Sequence, residues 1–340
     1  MKKVTIKDVA RQANVSIGTV SRVFNDYPDI SEATRQHVFK IASQIGYVPN
    51  IAARMLSSKR LQTIALVFND LVYQPKNTFP MSILNGVLDY AEEQNFEFAF
   101  YAMTTQKQRG KTYEQFCSER DVTGVIMQGL HQNDPYVEQL KATTVPTVLI
   151  DMAVPTNQWV GSITTDNLTA AKDAVNSLIK AGYKNIDMMN GTYDAAVSIL
   201  RERGYKKALG DAGFKINSSL IQYANYDEQI ANLMAKQALQ QDPTIDAFFC
   251  ASDIMALGVL QALKDMGKRV PGDVGVIGFD GLDIGAYVSP ALSTVVQQPY
   301  EFGQEAARLI QELVDGHQPE TNIERHVPYQ LIRRQTTRRC

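Results

Sequence analysis

The first fifty residues place apolar side chains at the spacing of short helices. In the first segment they fall at i, i+3, i+4 and i+7 and form one stripe, made of Ile6, Val9, Ala10 and Ala13. Thr5 precedes this stripe, where its hydroxyl can cap a helix, and Asp8 suits the positive end of that helix. The period breaks at residues 14–16, and Ser16 is placed to cap a second helix.

The second helix turns small and hydroxyl-bearing residues outward. Its inner face is Val20, Val23 and Phe24, and its outer face consists of Ile17, Gly18, Thr19, Ser21 and Arg22. A helix that enters the major groove of DNA needs small residues for close approach, hydroxyls for phosphates and an Arg that reaches a guanine edge. The pattern therefore predicts a helix-turn-helix unit. A small helical subdomain with a solvated face is the alternative.

Two further features of residues 1–60 favour nucleic-acid binding. A third apolar stripe follows Ser31 and closes a three-helix unit; it consists of Val38, Ile41, Ala42 and Ile45. Residues 1–60 carry ten Lys and Arg against four Asp and Glu, a net charge of +6. The whole chain carries −2, so residues 61–340 carry −8. A basic end on an acidic body is typical of proteins whose end binds nucleic acid.

The composition limits the compartment and the chemistry. With 340 residues, 44% of them hydrophobic and 21% charged, the chain is long enough for two or three domains with sizeable cores. We expect no signal peptide, because charged residues interrupt residues 4–13, and no apolar run approaches the ~20 residues of a membrane span. The three cysteines and four histidines are scattered, which predicts reduced thiols in a cytoplasmic protein without a metal or other cofactor.

From residue 61 onward, strand-like and helix-like segments alternate. Short apolar runs such as 64–68 predict buried strands, and amphipathic segments such as 83–91 predict helices between them. The order is typical of doubly wound parallel sheets and occurs twice, so we expect two lobes with a cleft between them. The first lobe is predicted at 61–161 and 293–324, and the second at 162–292 and 325–340. Predicted strands of the second series are 186–190, 221–223, 247–251 and 274–279, with helices at 170–180, 201–212, 230–240 and 254–266.

Polar residues stand where several of these strands end. Asp151 ends one strand, Ser252 and Asp253 follow another, and Asp280 ends a third. Acceptors that converge on one cleft suit a ligand with many hydroxyls, such as a sugar, since each carboxylate accepts two of them. Asp253 is as good a candidate for a helix cap as for a ligand contact.

With these residues in view, the chain resembles the lactose-repressor (LacI/GalR) family of bacterial transcription regulators. In the N-terminal part the matching segments are TIKDVA at 5–10, VS at 15–16, TVSRV at 19–23, ISEATR at 30–35 and GYVPN at 46–50. In the body they are SITTDN at 162–167, LIKAGYKNI at 178–186, RERGYKKAL at 201–209, VPGDVGVIGFD at 270–280 and SPALSTVVQQP at 289–299.

The resemblance implies an α/β protein with an N-terminal all-α domain. It implies a helix-turn-helix domain at 1–48, a hinge helix or linker at 49–60, and a periplasmic-binding-protein-like body of two doubly wound parallel-sheet lobes at 61–340. The implied DNA contacts are Thr5, Ser16, Ile17, Gly18, Thr19, Ser21, Arg22 and Asn25, with Asn50, Ala53, Arg54 and Leu56 in the hinge. Arg22 would reach guanine, and Leu56 would act as a wedge between base pairs in the minor groove.

The implied effector contacts lie in the cleft of the body. They are Phe79, Ile83, Asp151, Arg201, Tyr226, Ser252, Asp280 and Gln297. Tyr226 could stack on a sugar ring, and Arg201 could hold a hydroxyl or a carboxylate. Ser252 departs from the amide often found at its position, which leaves the identity of the sugar open.

The resulting functional hypothesis is a homodimeric repressor of a carbohydrate-utilisation operon, released from a near-palindromic operator by a sugar between the lobes. The alternative is a regulator whose DNA binding is enhanced by a purine or phosphoprotein corepressor. An enzyme on the same fold is disfavoured, because the chain has neither a Walker A loop nor a G-x-G-x-x-G after a strand.

Overall fold

A computed structural model describes residues 4–25, 27–47, 63–71, 74–94, 96–155, 157–317 and 323–338. The chain divides into two compact units, residues 1–62 and residues 63–340.

The described residues of the N-terminal unit form three helices around a small core. They are α1 (Ile6–Ala13), α2 (Ile17–Phe24) and α3 (Glu32–Gln44). Ser16 and Ser31 cap α2 and α3, because their hydroxyls accept from the amides of Thr19 at 2.9 Å and Thr34 at 3.3 Å. The core consists of Val9, Ala10, Ala13, Val20, Val23, Val38 and Ala42. Three mutually packed helices of this size place the outer face of α2 toward solvent.

The larger unit contains two six-stranded sheets flanked by helices. The strands of its first half are β1 (Thr63–Asn69), β2 (Glu97–Met103), β3 (Gly124–Gln128), β4 (Thr147–Ile150) and β5 (Val160–Thr164). Those that follow are β6 (Ile186–Asn190), β7 (Ile221–Tyr223), β8 (Ala247–Cys250), β9 (Gly275–Asp280), β10 (Ser293–Val296), β11 (Glu324–His326) and β12 (Gln330–Ile332).

Helices cover both sheets. The helices of the first half are α4 (Phe79–Gln94), α5 (Thr105–Arg109), α6 (Tyr113–Glu119) and α7 (Pro135–Leu140). They are followed by α8 (Asn167–Lys180), α9 (Ala196–Asp211), α10 (Glu228–Gln241), α11 (Asp253–Asp265), α12 (Ile284–Tyr287) and α13 (Pro299–Val314). Within the described ranges, each helix is too short or too polar to span a membrane.

The two sheets define two lobes. The first has the order β11-β5-β4-β3-β1-β2 and the second the order β12-β10-β9-β8-β6-β7. Among the described strands, β10 pairs with β12 in antiparallel fashion and the other pairs are parallel. Parallel strands need crossover connections, which the flanking helices provide. The carboxyl ends of β1, β3 and β4 in one lobe, and of β8 and β9 in the other, carry the residues that line a shared cavity.

The chain crosses between the lobes at places other than those predicted. The boundary expected between 161 and 162 falls inside β5, which pairs with β4 and therefore belongs wholly to the first lobe. Residues 293–296 form β10, which pairs with β9 in the second lobe, so the chain returns to the first lobe with α13 and not before it. Residues 325–326 belong to β11 in the first sheet. A strand belongs to the lobe whose sheet it pairs with. Apolar runs in the sequence predict strands but do not show which strands pair, so the lobe boundaries were misplaced.

Most predicted elements of the second series are present. The strand at 186–190 has the predicted bounds, and the helix predicted at 201–212 begins five residues earlier, at Ala196. Strand β5 was not predicted, because its VGSIT sequence alternates too weakly to stand out.

Candidate recognition helix and ligand cavity

The outer face of α2 presents the small residues expected of a helix that approaches DNA. Ile17 is 46% exposed, and a Cβ at Gly18 would have only the Ser16 hydroxyl within 4 Å among the described residues. Thr19 and Ser21 are half-buried, and the Thr19 hydroxyl lies 2.9 Å from that of Ser16. A low, hydroxyl-bearing surface of this kind allows close approach to a groove.

Arg22 projects from this surface but has a partner within its own unit. Its Nη1 donates to Asp29 Oδ2 at 2.7 Å, and its guanidinium lies 5.9 Å from the ring centre of Tyr27. The side chains of Arg22 and Asp29 are 57% and 53% exposed, so water screens the ion pair. A contact of Arg22 with a base therefore requires exchange of this partner.

Thr5 and Asn25 stand at helix ends. Thr5 donates both its amide and its hydroxyl to Asp8 Oδ2, at 3.0 and 2.7 Å. Asn25 follows α2 and donates its side-chain amide to Ser21 at 3.3 Å. The hinge residues Asn50, Ala53, Arg54 and Leu56 lie outside the described residues.

A cavity of about 400 Å³ lies between the two lobes of the body. This volume falls in the range of small-molecule sites. Seven of the eight predicted effector residues line it: Phe79, Asp151, Arg201, Tyr226, Ser252, Asp280 and Gln297.

The prediction for the eighth effector residue, Ile83, was wrong. It is fully buried in the core of the first lobe and does not line the cavity. Ile83 lies one turn beyond Phe79 on α4, and Phe79, packed edge-on against Phe302 with ring centres 6.0 Å apart, forms the wall in front of it.

Arg201 is the one Arg or Lys side chain among the described residues of the cavity wall. It is 2% exposed, and its Nε donates to Asn167 at 2.8 Å and its Nη1 to the carbonyl of Ala251 at 2.5 Å. Asp280 Oδ1 lies 3.7 Å from Nη1, and the Phe279 ring centre lies 3.8 Å from the guanidinium carbon. These contacts fix the guanidinium at the cavity wall.

Asp280 and Gln297 form a polar pair opposite this cation. Gln297 Nε2 donates to Asp280 Oδ1 at 2.9 Å. Gln297 Oε1 is buried and has no hydrogen-bond partner in the part of the chain that the structure describes. Burial raises the pKa of Asp280 to about 7, Arg201 and Gln297 act against this rise, and Asp151 adds to it. An unpaired buried acceptor is costly unless something donates to it.

Asp151 extends the acidic wall. Its Oδ1 accepts from the Thr164 hydroxyl at 2.9 Å, and burial raises its pKa against the opposing effect of Arg201. Asp151, Tyr226 and Asp280 have φ angles of +64°, +58° and +109°, in a region that side-chain-bearing residues rarely adopt. Backbone strain of this kind concentrates at functional sites.

Tyr226 supplies an aromatic surface to the cavity. Its hydroxyl lies 2.8 Å from that of Ser198, and its ring would lie 2.1 Å from a Cβ at Gly191. Only glycine at 191 therefore allows the ring to lie so close to the backbone.

Ser252 and Asp253 have different roles from each other. Ser252 lines the cavity, but its hydroxyl accepts from the amide of Met255 at 3.2 Å and so caps α11. Asp253 neither caps the helix nor lines the cavity; its carboxylate accepts from the amide of Leu282 at 2.7 Å and from the Thr294 hydroxyl at 2.6 Å.

The first lobe contributes polar wall residues that were not predicted from the sequence. They lie at the ends of β1 and β3 or just after them and are Asn69, Asp70, Gln128 and His131. Asp70 accepts from the Thr105 hydroxyl at 2.7 Å, and His131 Nδ1 lies 3.5 Å from Asp194 Oδ1 in the other lobe. Their position after apolar strands was the available signal, the same one that identified Asp151 and Asp280.

Comparison with known proteins agrees with both halves of this description. A model described as bacterial regulatory proteins, lacI family, matches residues 5–50, and a periplasmic binding protein-like domain matches residues 175–337. Catabolite control protein A of Priestia megaterium is 33% identical, over 98% of this chain and 99% of that protein. The HTH-type transcriptional regulator CelR of Thermobifida fusca is 33% identical, over 94% of each chain. The chain belongs to the LacI family.

Membership makes the chain a DNA-binding transcriptional regulator and not an enzyme. The structure of a transcriptional regulator CelR–cellobiose complex is similar, with a TM-score of 0.72 and 29% identity, over 98% of this chain and all of that one. A lac repressor dimer bound to operator and the anti-inducer ONPF matches with a TM-score of 0.85 over 99% of this chain and all of that one. At 24% identity, that match shows the fold. The predicted fold class is confirmed.

Proposed function

We propose that this regulator is a homodimeric repressor whose operator binding is released by a neutral, hydroxyl-rich ligand, a sugar, held between its lobes. It acts in the cytoplasm on a carbohydrate-utilisation operon. The two recognition helices of the dimer bind half-sites related by two-fold symmetry, so the operator is near-palindromic. Arg22 contacts guanine. Thr5, Ser16, Thr19, Ser21 and Asn25 contact the backbone, and Ile17 and Gly18 meet the groove floor.

The residues of the cavity wall support the proposed class of ligand. The wall's described residues include Asp70, Asp151 and Asp280 and one Arg or Lys side chain, Arg201, whose guanidinium already donates to protein acceptors. A phosphate or carboxylate would face this acidic wall and lose its hydration without an uncommitted cation from these residues to replace it. Hydroxyls donate to carboxylates without that cost, and Gln297 Oε1 supplies a further acceptor.

Relatives support the ligand class. The CelR structure at 29% identity is a complex with cellobiose. Tyr226 is suited to stacking on a sugar ring, because it lines the cavity and its contacts with Ser198 and Gly191 hold the ring in place. Phe79 and Ser252 complete the proposed contacts.

Release from DNA follows from closure of the lobes around the ligand. A ligand that bridges Asp280 and Asp151 favours one arrangement of the two lobes. The hinge residues Asn50, Ala53, Arg54 and Leu56 are proposed to contact the minor groove, with Leu56 as a wedge that kinks the DNA. Movement of the lobes separates the two hinges of the dimer and weakens these contacts.

A thermal-shift screen of the full-length protein against sugars, sugar phosphates and purines tests the ligand class. A sugar at a hundred times its dissociation constant stabilises the protein by ~2.7 kcal/mol, which raises the melting temperature by a few degrees. We expect neutral sugars alone to produce this shift, and Asp280→Ala to abolish it. Asp283→Ala is the matched control, because Asp283 lies three residues away and does not line the cavity.

Two results would contradict the proposal. A shift produced by sugar phosphates or purines and not by neutral sugars would assign another ligand class to the cavity. A sugar-induced shift of equal size in wild type and in Asp280→Ala would place the sugar elsewhere.

A further inference from the structure

Asp253 is a fully buried carboxylate that does not line the ligand cavity. It is the first residue of α11, and Ser252 before it already caps that helix. Its Oδ1 would lie 2.1 Å from a Cβ at Gly278, so the carboxylate rests against the bare backbone of β9. Burying a carboxyl group costs free energy, which its hydrogen bonds to neighbouring groups offset.

The partners of Asp253 surround the cavity residue Asp280. The amide of Leu282, two residues after Asp280, donates to Oδ2 at 2.7 Å. The hydroxyl of Thr294 on β10 donates to Oδ1 at 2.6 Å. Between them lies the turn in which Asp280 and Gly281 have φ angles of +109° and +77°. A carboxylate that accepts from both sides of the turn holds it in this strained conformation.

The neighbours of Asp253 also reach the other lobe. Ile254 and Leu282 are each 5% exposed, and both belong to the hydrophobic cluster built around Ile64, Leu66 and Phe68 of β1. The hydrogen bond between Asp253 and Leu282 therefore involves or adjoins two side chains, Leu282 and Ile254, that belong to the apolar cluster of the first lobe.

We infer that Asp253 is a positioning residue, which fixes the turn that carries Asp280 and couples it to the apolar contact between the lobes. Through Leu282 and Ile254, a change at the cavity carboxylate reaches the interface on which lobe closure depends. That this coupling responds to a ligand rests on the proposed function. The mechanical role of Asp253, which is to hold the turn at residues 280–282, does not.

Amide hydrogen exchange of the full-length, unliganded protein tests the mechanical role. Asp253→Ala removes the acceptor of the Leu282 amide. We expect exchange in residues 281–286 to accelerate by about tenfold, the factor for one lost hydrogen bond, while β8 and β6 keep their rates. Asp253→Asn keeps an acceptor of the same shape and should restore nearly wild-type exchange.

Asp246→Ala is the matched control. Asp246 also accepts from backbone amides, those of Lys184 at 2.9 Å and Asn185 at 2.9 Å, but it stands before β8, at the opposite end of the same strand. Its loss should accelerate exchange near 184–186 and leave 281–286 unchanged. Should Asp253→Ala fail to fold, the isosteric Thr294→Val removes one donor to the carboxylate and should accelerate 281–286 severalfold, with Thr294→Ser as its conservative partner.

Uniform acceleration throughout the second lobe in Asp253→Ala or Thr294→Val, or unchanged exchange in 281–286, would overturn the inference. Titration of the same variants with cellobiose and glucose is a separate measurement. Absence of binding by the wild type would count against the proposed function of the cavity for these two sugars, and it would leave the exchange result as the test of Asp253.

Discussion

Individual residues of the cavity depend on backbone conformations that are strained. Asp151, Tyr226 and Asp280 have φ between +58° and +109°, and all three line the cavity. Such conformations persist only where the surrounding structure holds them. Hydrogen bonds do so here: Thr164 donates to Asp151, Ser198 pairs with Tyr226, and Gln297 donates to Asp280.

Asp187 gives a test of pH dependence outside the cavity. It is fully buried on β6, and its Oδ2 accepts from Gln222 at 3.0 Å. Burial raises its pKa from 3.8 to about 7, so the folded protein holds this proton more tightly than the unfolded chain does. The stability that Asp187 contributes is therefore greatest below about pH 4 and falls as the pH rises to about 7.

Asp187→Asn should remove this loss of stability at higher pH. We expect the variant to be more stable than wild type at pH 8 by ~1–3 kcal/mol, since each pKa unit corresponds to ~1.4 kcal/mol, and to differ little at pH 4.5. Urea unfolding at both pH values measures the difference. Asp273→Asn should behave oppositely, because Arg269 holds the pKa of Asp273 down at about 2. A variant of Asp187 less stable than wild type at pH 8 would show that its charge is compensated.

Arg22 and Asp29 give a test on DNA. Arg22→Ala should reduce affinity for a selected operator by about fivefold to 150-fold per half-site, since a bidentate guanine contact contributes ~1–3 kcal/mol, while binding to random DNA changes little. Asp29→Asn releases Arg22 from its 2.7 Å ion pair and removes a negative charge near phosphates, so it should strengthen binding. Fluorescence anisotropy at two salt concentrations measures both. Equal losses on operator and random DNA would exclude the base contact of Arg22.

The sequence could place single residues at the cavity wall where a strand end fixed their position, and their contact with a ligand stays a prediction. Asp151 and Asp280 lie in the cavity because β4 and β9 end there. The same reasoning extends to Gln128 at the end of β3 and to Asp70 after β1, which were not predicted. Ile83 was misplaced, because a helical period cannot tell a cavity wall from the core one turn away.

At the level of elements, two glycines in α9 have opposite environments. A Cβ at Gly204 would lie 2.3 Å from the carbonyl oxygen of Leu168 on α8, whereas one at Gly210 would have no atom of the described residues within 4 Å. Helices α8 and α9 therefore cross at a distance that only glycine allows at 204. The sequence RERGYKKALG shows both glycines without distinguishing them.

Gly204→Ala should destabilise the protein by about 2 kcal/mol, because overpacking against a backbone oxygen forces the helices apart. Gly210→Ala should stabilise it by ~0.5–1 kcal/mol, since alanine lowers the entropy of the unfolded chain without strain. Thermal unfolding of the two variants beside wild type provides the measurement. Similar effects of both substitutions would mean that the close crossing of α8 and α9 is absent.

Helices and buried strands could be predicted because their apolar periods are strong. Helix α10 and strand β6 were predicted with bounds within two residues. Strand β5 and the partners of β10 and β11 were not, since pairing across a sheet depends on contacts distant in sequence. Lobe boundaries are therefore the part of the fold that a single sequence specifies least.

Across the larger unit, the lobes are joined by three chain crossings and by contacts at the cavity mouth. The crossings follow β5, β10 and β11. At the mouth, Lys76 of the first lobe pairs with Glu228 of the second at 2.6 Å, and the Gln132 amide donates to the carbonyl of Asp194 at 3.1 Å. A ligand that changes the angle between the lobes must alter these crossings together, which makes lobe movement a concerted change.

The charge distribution along the sequence is enough to distinguish the basic N-terminus from the acidic body. The ligand class cannot be predicted in the same way, because specificity depends on how lining residues from both lobes combine. Among the described residues, the cavity wall combines several carboxyl groups with one guanidinium, that of Arg201, which already donates to protein acceptors. This combination favours a neutral polyol as ligand, and it depends on Asp70 lying in the same wall as Asp151 and Asp280.

The most direct test of the proposed function is the affinity of the full-length protein for an operator, with and without sugar. DNA selected from a random pool by the protein supplies the operator, and anisotropy titrations with and without the sugar that stabilises it supply the affinities. We predict a near-palindromic sequence and a loss of affinity between severalfold and about a hundredfold, the range of a coupling of ~1–3 kcal/mol. Affinity that stays unchanged or rises with sugar would contradict release by a ligand between the lobes.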